Sequence, residues 1–170
     1  MTTSSEIGDP KRRAEVAHRI TELFLLKFAG LRSDHVDLFD GILTADLAER
    51  LSVLGNAPRA LVGHLAGDDD ITIAGPLLRR SAVIDEGALI EIARTRGQGH
   101  LLAISERPKL SADLTDVIVR RGDRDVVRQA AGNAGALFSK AGYSALIKRA
   151  GRDGVLTLTV GRRDDLSGSS

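Results

Sequence analysis

The chain has 170 residues, which is enough for one domain that folds without covalent cross-links. It contains no cysteine, so disulfides, thiolate metal sites and a cysteine nucleophile are excluded. The net charge of +1 is unevenly divided, because residues 1–93 carry a charge of −5 and residues 94–163 carry +8. Only 3% of the residues are aromatic, so we expect a core of aliphatic side chains, which suits close helix packing.

The first part of the chain is predicted to contain helices that precede a repeat array. Residues 1–8 are polar, and we expect them to form a flexible N-terminus. Asp9 and Pro10 suit the cap and the first position of a helix, and apolar spacing continues that helix to Gly30. Two further short helices are predicted over residues 36–43 and 47–54. These elements are the N-terminal helices, residues 9–57, of a single domain that covers residues 9–165.

From residue 58 to residue 165, a unit of two short helices joined by a glycine turn repeats four times. Its glycines are Gly67, Gly97, Gly122 and Gly151, which stand about 28 residues apart on average. Each glycine follows a short amphipathic helix and precedes a second helix that starts with a polar residue. One hairpin of this size cannot bury its apolar face alone, so consecutive hairpins are predicted to stack.

Two details depend on this helical assignment. In the second unit, Leu101, Leu102 and Ile104 lie on the second helix, and we predict that Leu102 is a core position. Residues 155–160 alternate between apolar and polar side chains as a strand does. They occupy the position of a second helix, however, so we predict a helix there. Residues 166–170 are expected to form a flexible tail.

Several motifs, in the same order along the chain, are similar to those of a known bacterial family. They are LAGDD at residues 65–69, AGPLLRRS at 74–81, HLLAISER at 100–107, VRRGD at 119–123 and GNAGA at 132–136. Through them, residues 30–165 resemble the proteins that share domain of unknown function 2336. The resemblance implies a HEAT-like helical array that resides in the cytoplasm and has no known reaction. Together with the repeat, it predicts an all-α fold, a right-handed α–α superhelix or HEAT-like solenoid of short hairpins.

The sequence carries no pattern typical of a catalytic, cofactor or metal site. No two histidines stand four residues apart, so the ligand pair of zincin-type proteases is missing. The aspartates at 68–70 lack the glycine and glutamate of a calcium loop and are better explained by helix capping. Gly97-Gln98-Gly99 lacks the third glycine of a dinucleotide loop, and no Walker loop or serine nucleophile elbow occurs. We therefore expect a protein that is not an enzyme and uses no cofactor or metal.

Basic and polar side chains on the second helices are the remaining candidates for a binding site. The resemblance implies that the second helix of each hairpin lines a concave face. If the side chains converge there, they form a basic groove for acidic peptides or phosphates. If they do not converge, they are scattered, solvated charges. The predicted groove consists of Arg79, Arg80, His100, Arg107, Arg124, Arg128, Asn133 and Arg152.

Three of these residues have a structural alternative. His100 also suits a surface or capping position at the start of its helix. Asn133 follows Gly132 at a helix end, where both residue types suit a left-handed cap. Arg107 precedes Pro108, and an arginine there favourably meets the negative end of its helix.

Three classes of function remain open. The first prediction is a non-catalytic scaffold that presents the groove to a protein partner, because solenoids offer extended surfaces. Nucleic-acid backbone binding through the basic half is the first alternative, although aromatic residues for base stacking are scarce. A small-ligand protein or enzyme is the second alternative. Pairing of the acidic half with the basic half of another copy is a further option. The lack of cysteine fits the cytoplasmic residence that the resemblance implies. No apolar run is long enough for a membrane span, so we expect no membrane partner.

Overall fold

The computed structural model describes residues 36–163, and its account of side chains begins at Thr44. Every regular element in this part of the chain is a helix, which confirms the predicted all-helical class. The predicted helix that ends at Gly30, the N-terminus 1–8 and the tail 166–170 lie outside the described residues. The helices are α1 (Val36–Ser52), α2 (Arg59–Ala66), α3 (Ile71–Arg80), α4 (Glu86–Thr95), α5 (Gln98–Ser105), α6 (Ala112–Arg121), α7 (Arg124–Gly132), α8 (Lys140–Ala150) and α9 (Gly154–Gly161).

Two of the predicted elements have different outcomes in the structure. Residues 155–160 lie within α9, so the prediction of a helix there is confirmed. The prediction of two short helices over residues 36–43 and 47–54 is wrong, because α1 continues through both segments. Neither proline nor glycine stands within residues 43–47, so nothing there interrupts a helix and one continuous helix is favoured.

Short polar side chains start most of the helices. The side-chain oxygens of the residues that precede α3, α4, α6, α7, α8 and α9 accept hydrogen bonds from first-turn N–H groups. Such caps satisfy donors that have no partner inside the helix. The six capping residues are Asp70, Asp85, Ser111, Asp123, Ser139 and Asp153.

The repeated glycines lie at the turns between paired helices, as predicted. Gly67, Gly122 and Gly151 directly follow α2, α6 and α8, and Gly97 directly precedes α5. The left-handed cap considered for Gly132 and Asn133 is wrong, because no described residue has a positive φ. Asn133 ends α7 with extended angles, φ −79° and ψ 112°, and its side chain reaches a different helix end.

The helices pack in two rows that run side by side. In one row α1 contacts α3, α3 contacts α5, α5 contacts α7 and α7 contacts α9. In the other row α4 contacts α6 and α6 contacts α8. The pairs α2–α3, α4–α5, α6–α7 and α8–α9 connect the rows. The four predicted hairpins therefore exist, and each later hairpin packs on the one before it.

The core between the rows is aliphatic, as the composition predicts. Leu65, Leu77, Leu101, Ile104 and Ile118 are among its fully buried side chains. A second, C-terminal cluster is formed mainly by α7, α8 and α9 around Leu146 and Leu156. Leu102 packs against the core but is only partly buried, so the prediction that it is a core position is wrong. The helix turns Leu101 and Ile104 inward instead.

Side chains after one helix satisfy carbonyl groups at the end of the preceding helix in the same row. Arg107 donates to the carbonyl oxygens of Leu78 and Ser81 at 2.8 and 2.9 Å, at the end of α3. The Asn133 amide donates to the carbonyl oxygens of Ser105 and Arg107 at 2.9 and 2.7 Å, at the end of α5. The last carbonyl groups of a helix have no hydrogen-bond partner within it. Because their donors here come from the next hairpin, these bonds connect consecutive hairpins.

The second row has the same device. Arg121, the last residue of α6, donates to the carbonyl oxygens of Ala93 and Arg96 at the end of α4. Arg149, near the end of α8, donates to the carbonyl oxygen of Gly122 at 2.7 Å, just after α6. Several arginines of the C-terminal half therefore connect one hairpin to the next through hydrogen bonds.

Replacing Asn133 with alanine tests this device. The change removes both donor bonds to the end of α5 and the bond that the Asn133 Oδ1 accepts from the Gly135 N–H at 2.9 Å. We expect the free energy of unfolding to fall by about 1–3 kcal/mol, the cost of leaving part-buried polar groups unpaired. Urea denaturation measures the loss. The control is Gln129→Ala on the exposed face of α7, which should change stability by less than about 0.5 kcal/mol. Equal stability of the two variants would contradict the account.

Candidate functional site

Two of the predicted groove residues form ion pairs on the surface. Arg79 Nε lies 2.5 Å from Glu106 Oε2, and Arg80 pairs with Glu49 on α1. The first pair links the end of α3 to the residue that follows α5, and the second links it to α1. Their charges are compensated, so neither residue offers a free cation to a ligand.

Three further predicted residues direct their polar atoms into the protein. His100 is buried, and its Nε2 donates to the carbonyl oxygen of Asp68 at 2.7 Å. Arg107 and Asn133 bind the helix ends described above, and burial lowers the pKa of Arg107 from its ordinary value. All three side chains thus have structural roles that differ from the alternatives considered from the sequence. His100 is buried and does not cap its helix, and Arg107 and Asn133 bind the end of a preceding helix instead of capping their own.

The remaining predicted residues, Arg124, Arg128 and Arg152, come together where α7, α8 and α9 meet. An open cleft of about 580 Å³ lies there, which we call the basic cleft. Four cations line it, namely Arg124, Lys148, Arg149 and Arg152. Val127, Leu156 and the carboxylate of Asp153 complete its lining. The predicted set is thus divided, because Arg79, Arg107 and Asn133 lie at the C-terminal ends of their helices or beyond them, away from this cleft.

Asp153 organises one side of the basic cleft. Arg128 Nε and Nη2 donate to its two carboxylate oxygens at 2.9 and 2.7 Å, and Arg124 Nε lies 3.7 Å away. The same carboxylate caps α9 by accepting from the N–H groups of Val155 and Leu156. The hydrogen bond from Arg128 holds the pKa of Asp153 below its usual range, and Asp153 in turn raises the pKa of Arg128.

The other side of the basic cleft keeps its positive charge. Arg149 is oriented by its bond to the Gly122 carbonyl oxygen, which carries no formal charge. The side chains of Lys148 and Arg152 are exposed and have no ion pair or hydrogen bond within residues 44–163. Like charges held near one another attract an anion, so the arrangement suits the binding of carboxylate or phosphate groups.

The lowered pKa of Asp153 leads us to expect that the stability of the fold depends on pH. Because its pKa is lowered on folding, it stabilises the folded state above the unfolded value of about 3.9. That contribution is lost as the pH falls through the lowered pKa of the folded state. We therefore expect Asp153→Asn to be less stable than the wild type at neutral pH, with the difference shrinking in acid below the unfolded value. Urea denaturation at several pH values measures it, with the exposed Asp113→Asn as control. A difference that grows in acid would contradict the account.

A second cleft of similar size lies between α4 and α6. Its lining is mostly apolar, and it contains no cluster of free cations among the described residues. The apolar lining residues are Ile84, Leu89, Leu110 and Leu114.

Within residues 44–163, no group of three metal-ligating side chains lies close enough to hold an ion. Nor does any helix between residues 36 and 163 combine the length and apolar character that crossing a membrane requires.

Sequence reasoning missed Lys148 and Arg149. Both lie on a first helix, α8, whereas the predicted groove was drawn from second helices and their ends. The available signal was the density of cations, because Lys148, Arg149 and Arg152 fall within five residues. α9 contacts both α7 and α8, and Arg149 donates to the carbonyl oxygen of Gly122 just before α7, so these cations line one cleft with Arg124.

The comparisons with known proteins identify a family but no individual relative. The profile of a family described as uncharacterised protein conserved in bacteria, DUF2336, matches residues 73–169. No curated protein and no solved structure matches the chain. The matched segment begins in α3, so it confirms the resemblance for the later hairpins and does not extend it to residues 30–72. Because the match covers more than half of the sequence, the chain belongs to the DUF2336 family, domain of unknown function 2336.

Proposed function

We propose that the protein is a non-catalytic binding scaffold that presents its basic cleft to a protein partner. In this proposal the stacked hairpins form a HEAT-like, right-handed superhelix, and the cleft belongs to its binding surface. The lack of cysteine supports residence in a reducing compartment such as the cytoplasm.

The packing supports the scaffold role. Consecutive hairpins contact each other in two rows, and side chains such as Arg121 and Asn133 connect the end of one hairpin to the next. Stacks of this kind extend a surface along the direction of the repeat instead of enclosing a deep active site. The clefts found in the described part of the chain are open to solvent, as expected for a surface that binds another macromolecule.

The observation that carries the proposal is the uncompensated charge of the basic cleft. Lys148 and Arg152 have no side-chain partner among the described residues, Arg149 is fixed beside them, and Asp153 is already neutralised by Arg128. Exposed cations of one sign, gathered on one surface, steer the approach of an acidic partner and select against basic ones.

Affinity capture from lysate of the source bacterium tests the proposal. The wild type should retain a discrete protein that survives nuclease treatment and is released by high salt. Lys148→Glu/Arg152→Glu should lose that protein. The control, Arg59→Glu/Arg94→Glu, makes the same change in net charge at two exposed arginines outside the cleft and should keep it.

Two outcomes would contradict the proposal. One is a partner that binds the cleft variant as strongly as the wild type. The other is recovery of nucleic acid alone, lost after nuclease treatment and with a steep dependence on salt, which would point to binding of the phosphate backbone.

A further inference from the structure

We infer that the basic cleft binds a short acidic peptide segment, whose carboxylates pair with Lys148 and Arg152. This inference rests on the proposed function, because it specifies what the partner presents to the cleft. It is carried by the division of charge within the cleft and by the orientation of Arg149 at its wall.

The division of charge defines which cations remain for a ligand. Arg128 donates two hydrogen bonds to the Asp153 carboxylate, which also lies 3.7 Å from Arg124 Nε. Lys148 and Arg152 have no such partner within residues 44–163, and both are exposed. A carboxylate that enters the cleft therefore gains two cations without first displacing an internal ion pair.

The position of Arg149 adds a directed donor. Its Nη1 donates to the Gly122 carbonyl oxygen, which holds the guanidinium at the wall of the cleft and leaves its formal charge uncompensated. An arginine whose side chain is already ordered loses less conformational entropy when it binds a carboxylate. Lys148 and Arg152 thus flank a cation that is already oriented.

The lining offers mainly charge. Val127 and Leu156 border the cleft, but both are buried in the C-terminal core. No aromatic side chain lines the cleft, and stacking on aromatic rings is the usual way in which proteins hold unpaired bases.

The engagement of other arginines disfavours a long nucleic-acid track. Arg96 pairs with Asp69, and Arg121 and Arg163 donate to backbone carbonyls at helix ends. Contacts within the fold therefore hold several cations of residues 94–163, and the exposed Arg94, Lys109, Lys140 and Arg162 do not line the cleft. Binding of the DNA backbone requires contacts to several successive phosphates, whereas a short acidic peptide needs only a local cluster.

Fluorescence anisotropy with labelled peptides tests the inference on the full chain. The probe is a short glutamate-rich peptide with an internal leucine, and its partner probe has glutamine in place of every glutamate. The wild type should bind the acidic probe at least about tenfold more tightly than the amide probe, a difference of about 1.4 kcal/mol. A labelled single-stranded oligonucleotide serves as the third probe.

Variants of the cleft assign the binding to its cations. Lys148→Glu/Arg152→Glu should weaken binding of the acidic probe by at least about tenfold, whereas Arg59→Glu/Arg94→Glu should change it by less than about twofold. Lys148→Arg/Arg152→Lys keeps both charges and should retain most of the affinity. Circular dichroism of each variant verifies the helical fold.

Three results would overturn the inference. They are equal binding of the acidic and amide probes, equal binding by the wild type and the cleft variant, and tighter cleft-dependent binding of the oligonucleotide. If the acidic probe fails while the cleft variant still loses a captured protein, the scaffold function stands and only the carboxylate chemistry is wrong. If the acidic probe binds as expected but no cleft-dependent protein is captured, the ligand chemistry stands and the scaffold function is wrong.

Discussion

Replacing Gly135 with alanine is expected to lower the free energy of unfolding by about 3 kcal/mol, the upper end of the usual cost of overpacking. Gly135 lies in the segment between α7 and α8, and its carbonyl oxygen accepts a hydrogen bond from the Leu110 N–H at 3.0 Å. A β-carbon at this position would stand 1.9 Å from the carbonyl oxygen of Pro108. That oxygen belongs to the backbone, so it cannot move aside as the end of a flexible side chain does.

The clash is costly because two loops meet there. Leu110 and Ala136 form an isolated parallel bridge, and the Leu137 N–H donates to the Leu110 carbonyl oxygen at 2.9 Å. Separating the loops to make room for a methyl group breaks these bonds in a region where Leu110 is buried. Urea denaturation gives the change in stability, and loss of cooperativity would show that the later hairpins have separated.

Gly154→Ala provides the matched control. Its added β-carbon meets no atom within 4 Å, and Gly154 is the first residue of α9. Alanine favours the helix over glycine, so we expect stability to be unchanged or to rise by up to about 1 kcal/mol. Similar stability of the Gly135 and Gly154 variants would show that the approach of the two loops is wrongly described.

Leu101→Ala should be the second large effect, with a loss of about 2–5 kcal/mol. Leu101 lies on α5, is fully buried and belongs to the main core cluster. The substitution removes apolar contacts and leaves a cavity that helices packed on both sides of α5 cannot readily fill. Denaturation by urea, with circular dichroism as the signal, measures the loss.

The neighbouring Leu102→Ala is the control for the helix register. Leu102 is only partly buried, so the same chemical change should cost about 1 kcal/mol. A core position for Leu102, as predicted from the sequence, would instead give a loss of about 2–5 kcal/mol there. If Leu102→Ala proves the more damaging of the two, the inward face of α5 has been assigned incorrectly.

The hairpins were predictable because local signals mark both of their ends. Gly122 followed by Asp123 places a turn residue directly before a helix cap, and Gly97 likewise separates two amphipathic segments. These signals act within a few residues, so they are visible without knowledge of the packing. The exact inward face of α5 was not visible, because its three apolar positions, Leu101, Leu102 and Ile104, fit more than one register.

The roles of individual arginines could not be predicted in the same way. Arg107 and Arg121 bind backbone carbonyl oxygens more than 24 residues away in sequence. Every residue has a backbone carbonyl, so no pattern of side chains predicts which one an arginine will bind. Arg152 and Arg107 look alike in the sequence, yet one lines an open cleft and the other is half-buried between hairpins.

The candidate site was only partly visible for a related reason. Arg124, Arg128 and Arg152 were included because they lie on or beside second helices. Lys148 was missed because it lies on a first helix, and it reaches the same cleft only because α9 packs on both α7 and α8. A site formed across two rows of helices depends on long-range contacts that the repeat pattern does not specify.

Chemical-shift mapping of the isotope-labelled protein, titrated with its captured partner, tests the proposed function most directly. We predict that the largest shifts of amide signals cluster at the start of α7, the end of α8 and the start of α9, around Arg124, Lys148, Arg149 and Arg152. The same titration of Lys148→Glu/Arg152→Glu should leave these signals in place. Shifts concentrated instead at the apolar cleft around Ile84 and Leu89 would contradict the assignment of the basic cleft as the binding site.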